Sequence, residues 1–129
     1  MTQSKETERQ EELVRYGYLL QWSMLVIPPM FFASLVYLLV LRLRITHFEL
    51  RTHVKWQLAT CIMILALIAA GLVLLFVGLS GVNTDAPVSV IATFVLMGGS
   101  VVFFPWLLYR LLYGNWRFAQ QVPMKSVLL

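Results

Sequence analysis

At 129 residues the chain has room for one compact bundle and little more. Hydrophobic residues make up 60% and charged residues 12%, against about 45–50% and about 25% in soluble domains, which argues against an ordinary soluble protein. The net charge of +4 does not point to nucleic acid, because every Lys and Arg lies outside three long apolar runs, where basic residues act as topology signals and head-group contacts.

Residues 1–15 are polar and mix three basic with four acidic side chains, so they form either a short surface helix or a disordered tail. They lack the basic opening of a cleaved signal peptide. The first uncharged run follows, from Tyr16 to Leu41. An α-helix needs about 20 apolar residues to cross a ~30 Å hydrocarbon core, so this run is long enough to span. It contains Pro28-Pro29, which removes two backbone donors and crowds the preceding turn. One kinked crossing is therefore expected. The alternative is two half-length pieces that enter and return as a re-entrant hairpin, which a small protein has little means to cover.

Residues 42–56 form a basic segment before the second run, Gln57 to Leu79, which is also long enough to span. Thr46 and Glu49 have capping-box spacing, with Thr at the N-cap and Glu three positions on. No Pro or Gly intervenes before Gly71, so the second helix is expected to run from Thr46 to Leu79, about 51 Å at 1.5 Å per residue. On that helix His47, Arg51 and Lys55 recur every four residues on one face, with Arg44 just before them. The stripe suits anionic lipid or an acidic partner, or it is an ordinary solvated face. His53, Trp56 and Gln57 cluster where the helix enters the membrane, and could bind a quinone head group or a lipid phosphate. The single Cys61 permits no internal disulfide and suits small apolar packing.

Gly78 to Gly81 should end the second helix. The 80–87 loop is short and carries no basic residue, which makes helices two and three antiparallel neighbours. The third run extends from Val88 to Tyr109 and again has the length of a span. Gly98 and Gly99 lie at its middle, and Ala66, Ala70, Gly71 and Gly78 lie along the second run. Small residues allow close helix approach, either inside the bundle or against another subunit. Gly114 is expected to end the third helix, leaving a basic amphipathic tail over 110–129.

The expected fold is thus all-α: an integral membrane bundle of three transmembrane helices, with the first kinked at Pro28-Pro29 and the second extended on the cytoplasmic side. Lys plus Arg number three in the N-tail, four between runs one and two, none between runs two and three, and three in the C-tail. Three crossings put the N-terminus outside with seven basic residues inside, whereas the re-entrant alternative puts all ten inside. Both place the 42–56 segment and the C-terminus in the cytoplasm of a bacterial inner membrane by the positive-inside rule.

No catalytic constellation appears. His47 and His53 are six apart, about 240° around a helix, so they cannot share a metal on one face. No zinc-protease, phosphate-loop or nucleophile-elbow motif occurs. None of the six acidic residues lies inside a run, which argues against proton-coupled transport.

Thr46 to Thr60, THFELRTHVKWQLAT, together with Trp106, Tyr109, Arg110, Gly114 and Pro123-Met124, resembles a set of small uncharacterised bacterial inner-membrane proteins of about three spans, the Tic20/DUF4870-like group. The resemblance covers roughly residues 45–124; Pro28-Pro29 departs from the group's pattern. It implies fold and location, and no activity, cofactor or catalytic residue. The expected function is a non-catalytic accessory or assembly subunit of a larger membrane complex that binds partner helices and anionic phospholipid. The alternatives are a small self-associating channel or transporter component, and a lipid- or quinone-binding module.

Overall fold

The computed structural model describes residues 2–81 and 86–124, and its architecture is all-α: α1 (Thr2–Val26), α2 (Met30–Arg44), α3 (Phe48–Gly81) and α4 (Ala86–Ala119). Half of the 80–87 loop, residues 82–85, and the end of the 110–129 tail, from 125 onward, lie outside the described residues. The chain divides into two units. The first comprises Met1–Cys61 and Tyr109–Leu129, the second Ile62–Leu108, so α3 and α4 contribute to both.

The expected single kinked helix over 16–41 is corrected. Pro28-Pro29 does not bend one helix but separates two. Neither proline has an N–H to continue the ladder, and the residue before a proline is pushed out of the helical region. The chain reverses through Met30 N–H to Ile27 O (2.9 Å), Phe31 N–H to Pro28 O (3.0 Å) and Phe32 N–H to Pro29 O (3.2 Å). The hairpin is then pinned part-way down, where the Tyr37 hydroxyl donates to Leu13 O at 2.7 Å. The polar tail is not a separate element either, since residues 2–15 are the first half of α1.

One face of α1 is buried, carrying Gln10, Val14, Gly17, Tyr18, Gln21 and Met24 at helical spacing. The buried face of α2 is Phe31, Ser34, Leu38 and Leu41. The first half of α3 and the end of α4 complete the core of this unit with Val54, Trp56, Leu58 and Leu111. Gly17 is required by close approach: a Cβ there would collide with Gln57 Oε1 and come within 3.3 Å of Leu38.

The helix that follows, α3, starts at Phe48 and not at the Thr46 that the capping box implies. Thr46 does not cap it. Gln10 on α1 instead holds the two residues before the helix: its Oε1 accepts from the Thr46 N–H (3.3 Å) and the His47 N–H (3.2 Å), and its Nε2 donates to Thr46 Oγ1 (3.0 Å). The spacing rule saw a local partner, and a distant one won. Gln10→Ala leaves those donors unmet and is expected to weaken the first unit by about 1 kcal/mol, the usual loss of such hydrogen bonds. Faster amide exchange at Thr46 and His47, with the second unit unchanged, is the readout.

In the second unit α3 and α4 pack on each other. A Cβ on Gly71 would lie 3.8 Å from Leu96 Cδ2, and one on Gly78 would lie 3.2 Å from the Ala92 Cβ. Gly78 lets the two helices approach closely, whereas a Cβ on Gly71 would make only an ordinary contact. Elsewhere the surface is apolar and open: Leu72, Phe76, Phe94, Val101 and Val102 are all exposed. Among the described residues two helices are long and apolar enough to cross a membrane, Phe48–Ser80 and Pro87–Ala119, and only 6% of the most apolar stretch of each is buried. A core helix of a soluble protein would be mostly buried. The hydroxyls of Thr93 and Ser100 turn back to the carbonyls four residues earlier, Ser89 O (2.8 Å) and Leu96 O (2.8 Å), which satisfies polar atoms on an otherwise apolar face.

Gly114 does not end the last helix. It lies inside α4, and no glycine among the described residues takes a positive φ. A left-handed Gln121 (φ 54°) turns the chain instead.

Candidate functional site

The chemistry-bearing residues gather inside the first unit. Gln10, Gln21, Ser34, His53, Gln57, Thr60 and Arg110 are all buried there, among Tyr18, Trp56 and Cys61. A buried polar group is tolerated only when it is hydrogen-bonded, and the partners are specific.

Arg110 is fully buried. Its Nε donates to Thr60 Oγ1 at 2.9 Å, its Nη2 donates to Trp56 O at 3.4 Å, and its guanidinium lies 3.9 Å from the centroid of the Trp56 ring. Trp56 Nε1 returns a bond to Arg110 O at 3.4 Å. The Thr60 hydroxyl in turn donates to Trp56 O at 2.9 Å. α3 and α4 are therefore locked reciprocally, each side chain reaching the other's backbone, with the charge resting on a ring face. Tyr113 extends the aromatic layer, its centroid 5.8 Å from that of Trp56 and 5.6 Å from that of Tyr109.

A second set ties α1 to α3. Gln57 Nε2 donates to Val14 O at 3.3 Å, and Gln21 Nε2 donates to Gln57 O at 2.9 Å. Cys61 is buried within 3.6 Å of the Gln21 amide and 4.0 Å of the Ser34 hydroxyl. The small packing role expected for this thiol is the one it fills, among polar rather than purely apolar neighbours.

His53 joins three elements. Its Nε2 is 3.1 Å from Val122 O, and its Nδ1 is 2.9 Å from the Tyr18 hydroxyl. A carbonyl only accepts, so Nε2 carries the proton, and the neutral ring accepts the Tyr18 hydrogen at Nδ1. The residues after α4 form a strap over this point: Arg117 Nη2 donates to Pro123 O at 2.7 Å, and the Met124 N–H donates to Thr52 Oγ1 at 3.0 Å.

Beside His53 opens a cleft of about 450 Å³, lined by Glu11, Arg15, His47, Glu49, His53 and Phe118 among others. Its charges are mixed. Among the described residues no group of three His, Cys, Asp or Glu is arranged to hold a metal.

The ligand cluster drawn from sequence, His53, Trp56 and Gln57, is thus brought together in the interior, where all three hold neighbouring helices and only His53 reaches the cleft. Arg44, His47, Arg51 and Lys55 are all exposed, and His47 precedes α3 rather than lying on it. Of the small residues, Gly78 serves α3–α4 packing, Ala66 and Ala70 are exposed, Gly98 and Gly99 have open space beside them, and Gly71 and Gly99 line one groove between α3 and α4. Sequence reasoning missed the roles of Gln10, Tyr18 and Arg110. Gln10, Tyr18 and Gln21 share one face with Val14, a signal that crosses from the charged tail into the apolar run. Arg110 reads as an ordinary flanking charge.

No family model, curated protein or solved structure matches this chain.

Proposed function

We propose that the chain is a non-catalytic accessory or assembly subunit of a larger complex in a bacterial inner membrane. In this reading α3 and α4 cross the bilayer through residues 57–79 and 88–109, and the basic 42–56 segment and the C-terminus stay on the cytoplasmic side. The segment free of Lys and Arg, 56–109, then contains the crossing and the outer loop, as the positive-inside rule favours. The resemblance to small Tic20/DUF4870-like membrane proteins accords with that location.

One observation carries the proposal. Gly98 and Gly99 sit in the interior of α4, where each glycine disfavours helix by about 1 kcal/mol relative to alanine, yet a Cβ on either would meet nothing within 4 Å. Gly78 is accounted for by internal packing against Ala92; Gly99 borders the groove between α3 and α4 that Gly71 also lines, and Gly98 is open. A flat, side-chain-free patch on an apolar face is what a neighbouring helix needs to approach closely. The interior of the first unit is occupied with holding its own helices, which leaves the membrane face for partners and the exposed Arg44, Arg51 and Lys55 for anionic phospholipid.

The test is purification of the tagged chain from native membranes in mild detergent, with mass spectrometry of what co-elutes. Membrane subunits in stoichiometric amounts are expected, and Gly98→Leu with Gly99→Leu should sharply reduce their recovery while leaving the purified chain folded. Recovery of a 14.8 kDa monomer alone would overturn the proposal. Recovery only with copies of itself would favour a self-associating channel or transporter component. A co-purifying quinone or phospholipid would favour the ligand module, for which the cleft beside His53 is the place.

A further inference from the structure

We infer that the α1–α2 hairpin is immersed in a single leaflet of the bilayer, entering and leaving on the side that carries the C-terminal strap. The partner surface is lipid: anionic head groups at the base of the hairpin and acyl chains around its tip. The inference rests on α3 and α4 crossing the membrane.

Length is the first argument. The uncharged part of α1 is Tyr16–Val26, and that of α2 is Met30–Leu41. At about 1.5 Å per residue each arm reaches about 17 Å, close to half of a ~30 Å hydrocarbon core. Charge is the second. Arg15 stands at the base of one arm, Arg42 and Arg44 stand at the base of the other, and all three are exposed. Cations there meet anionic head groups.

The backbone supplies the third. Lipid offers no hydrogen bonds, so an irregular turn at that depth must satisfy its own donors. Ile27 N–H bonds to Ser23 O at 2.9 Å, and Met30, Phe31 and Phe32 bond within the turn. The two remaining positions are Pro28 and Pro29, which have no N–H. The turn therefore presents no unpaired backbone donor.

Side chains sort the same way. The outward residues Val26, Phe32, Val36, Leu39 and Leu43 are exposed and apolar. The polar ones face inward or bond locally: Gln21 to Gln57 O, Tyr37 to Leu13 O, and Ser23 to Leu20 O. Gln10 bonds the Thr46 and His47 amides, so the two ends of the hairpin meet. His53 and Thr52 bond the strap at Val122 and Met124, and all of these residues belong to the first unit.

The experiment uses the full chain in vesicles, with Cys61→Ala as background and single cysteines at Ser4, Val26, Asn83 or Gln121. A membrane-impermeant maleimide should label Ser4→Cys and Gln121→Cys from one side and Asn83→Cys from the other. Val26→Cys should react from neither side until detergent is added. A nitroxide placed there should collide with oxygen far more than with a water-soluble nickel chelate. Ser4 and Gln121 reacting from opposite sides would overturn the inference, as would ready aqueous labelling of Val26. A Val26 nitroxide shielded from oxygen as well would replace lipid with a protein partner and also overturn it. Asn83 reacting on the same side as Gln121 would overturn the crossing by α3 and α4, and is distinguishable from the other failures.

Discussion

Arg110→Ala is expected to weaken the first unit by about 4 kcal/mol in equilibrium unfolding from mixed micelles. Hydrogen bonds from a charged donor contribute about 1.5–3 kcal/mol, and a desolvated cation–π contact about 2 kcal/mol; truncation also leaves a cavity, and the terms overlap because one side chain makes them all. Arg110 reaches Thr60 at 2.9 Å and lies 3.9 Å from the Trp56 ring centroid. Arg110→Lys keeps the charge but loses the planar fork, and should recover less than half of the loss. A double-mutant cycle with Trp56→Leu should show strong coupling. A loss under about 1 kcal/mol for Arg110→Ala would mean that the guanidinium is held by lipid head groups, not by this network.

The second large effect is a reversal of sign. Alanine is ordinarily better than glycine inside a helix by about 1 kcal/mol. At Gly114 the added Cβ would lie 2.9 Å from Trp56 Nε1, 3.0 Å from Tyr18 Cε1 and 3.1 Å from the Tyr18 oxygen. Both neighbours are aromatic side chains that are themselves held, so neither yields as a flexible chain end would. Overpacking of this kind costs about 1–3 kcal/mol, and Gly114→Ala should be a net loss of about 2 kcal/mol. Gly98→Ala is the control: it meets nothing within 4 Å and should gain up to about 1 kcal/mol in the purified chain. If both substitutions stabilise, α4 does not pass Trp56 and Tyr18 as closely as described.

Much of the fold was legible in the chain. Long uncharged runs, the absence of Pro and Gly from Thr46 to Ala70, and the turn residues around Gly81 lead to α3 with little error and to the start of α4, which runs past Gly114 to Ala119. What the chain did not reveal has a common cause: a partner remote in sequence decided the outcome. Thr46 and Glu49 match a capping rule, but Gln10 arrives from 36 residues away and bonds Thr46 first. Pro28-Pro29 guarantees a break, and proline rules do not say whether the next helix continues or returns. That was decided by contacts such as Tyr37 to Leu13. For the site, position next to a membrane run made His53, Trp56 and Gln57 look like a ligand surface. Their burial comes from α1 and α4 closing over them, which local pattern does not report.

The strap over His53 has a consequence for biogenesis. Thr52 bonds a residue 72 positions later, and His53 one 69 positions later. At about 5–20 residues per second of synthesis, roughly 4–14 s separate the emergence of the two ends of the Thr52 bond. During that interval the rest of α3 and then α4 emerge, the latter ending at Ala119 only five residues before Met124, while the polar half is still open. The bonds of the strap are therefore the last to form, a seal set only after both long apolar helices have emerged.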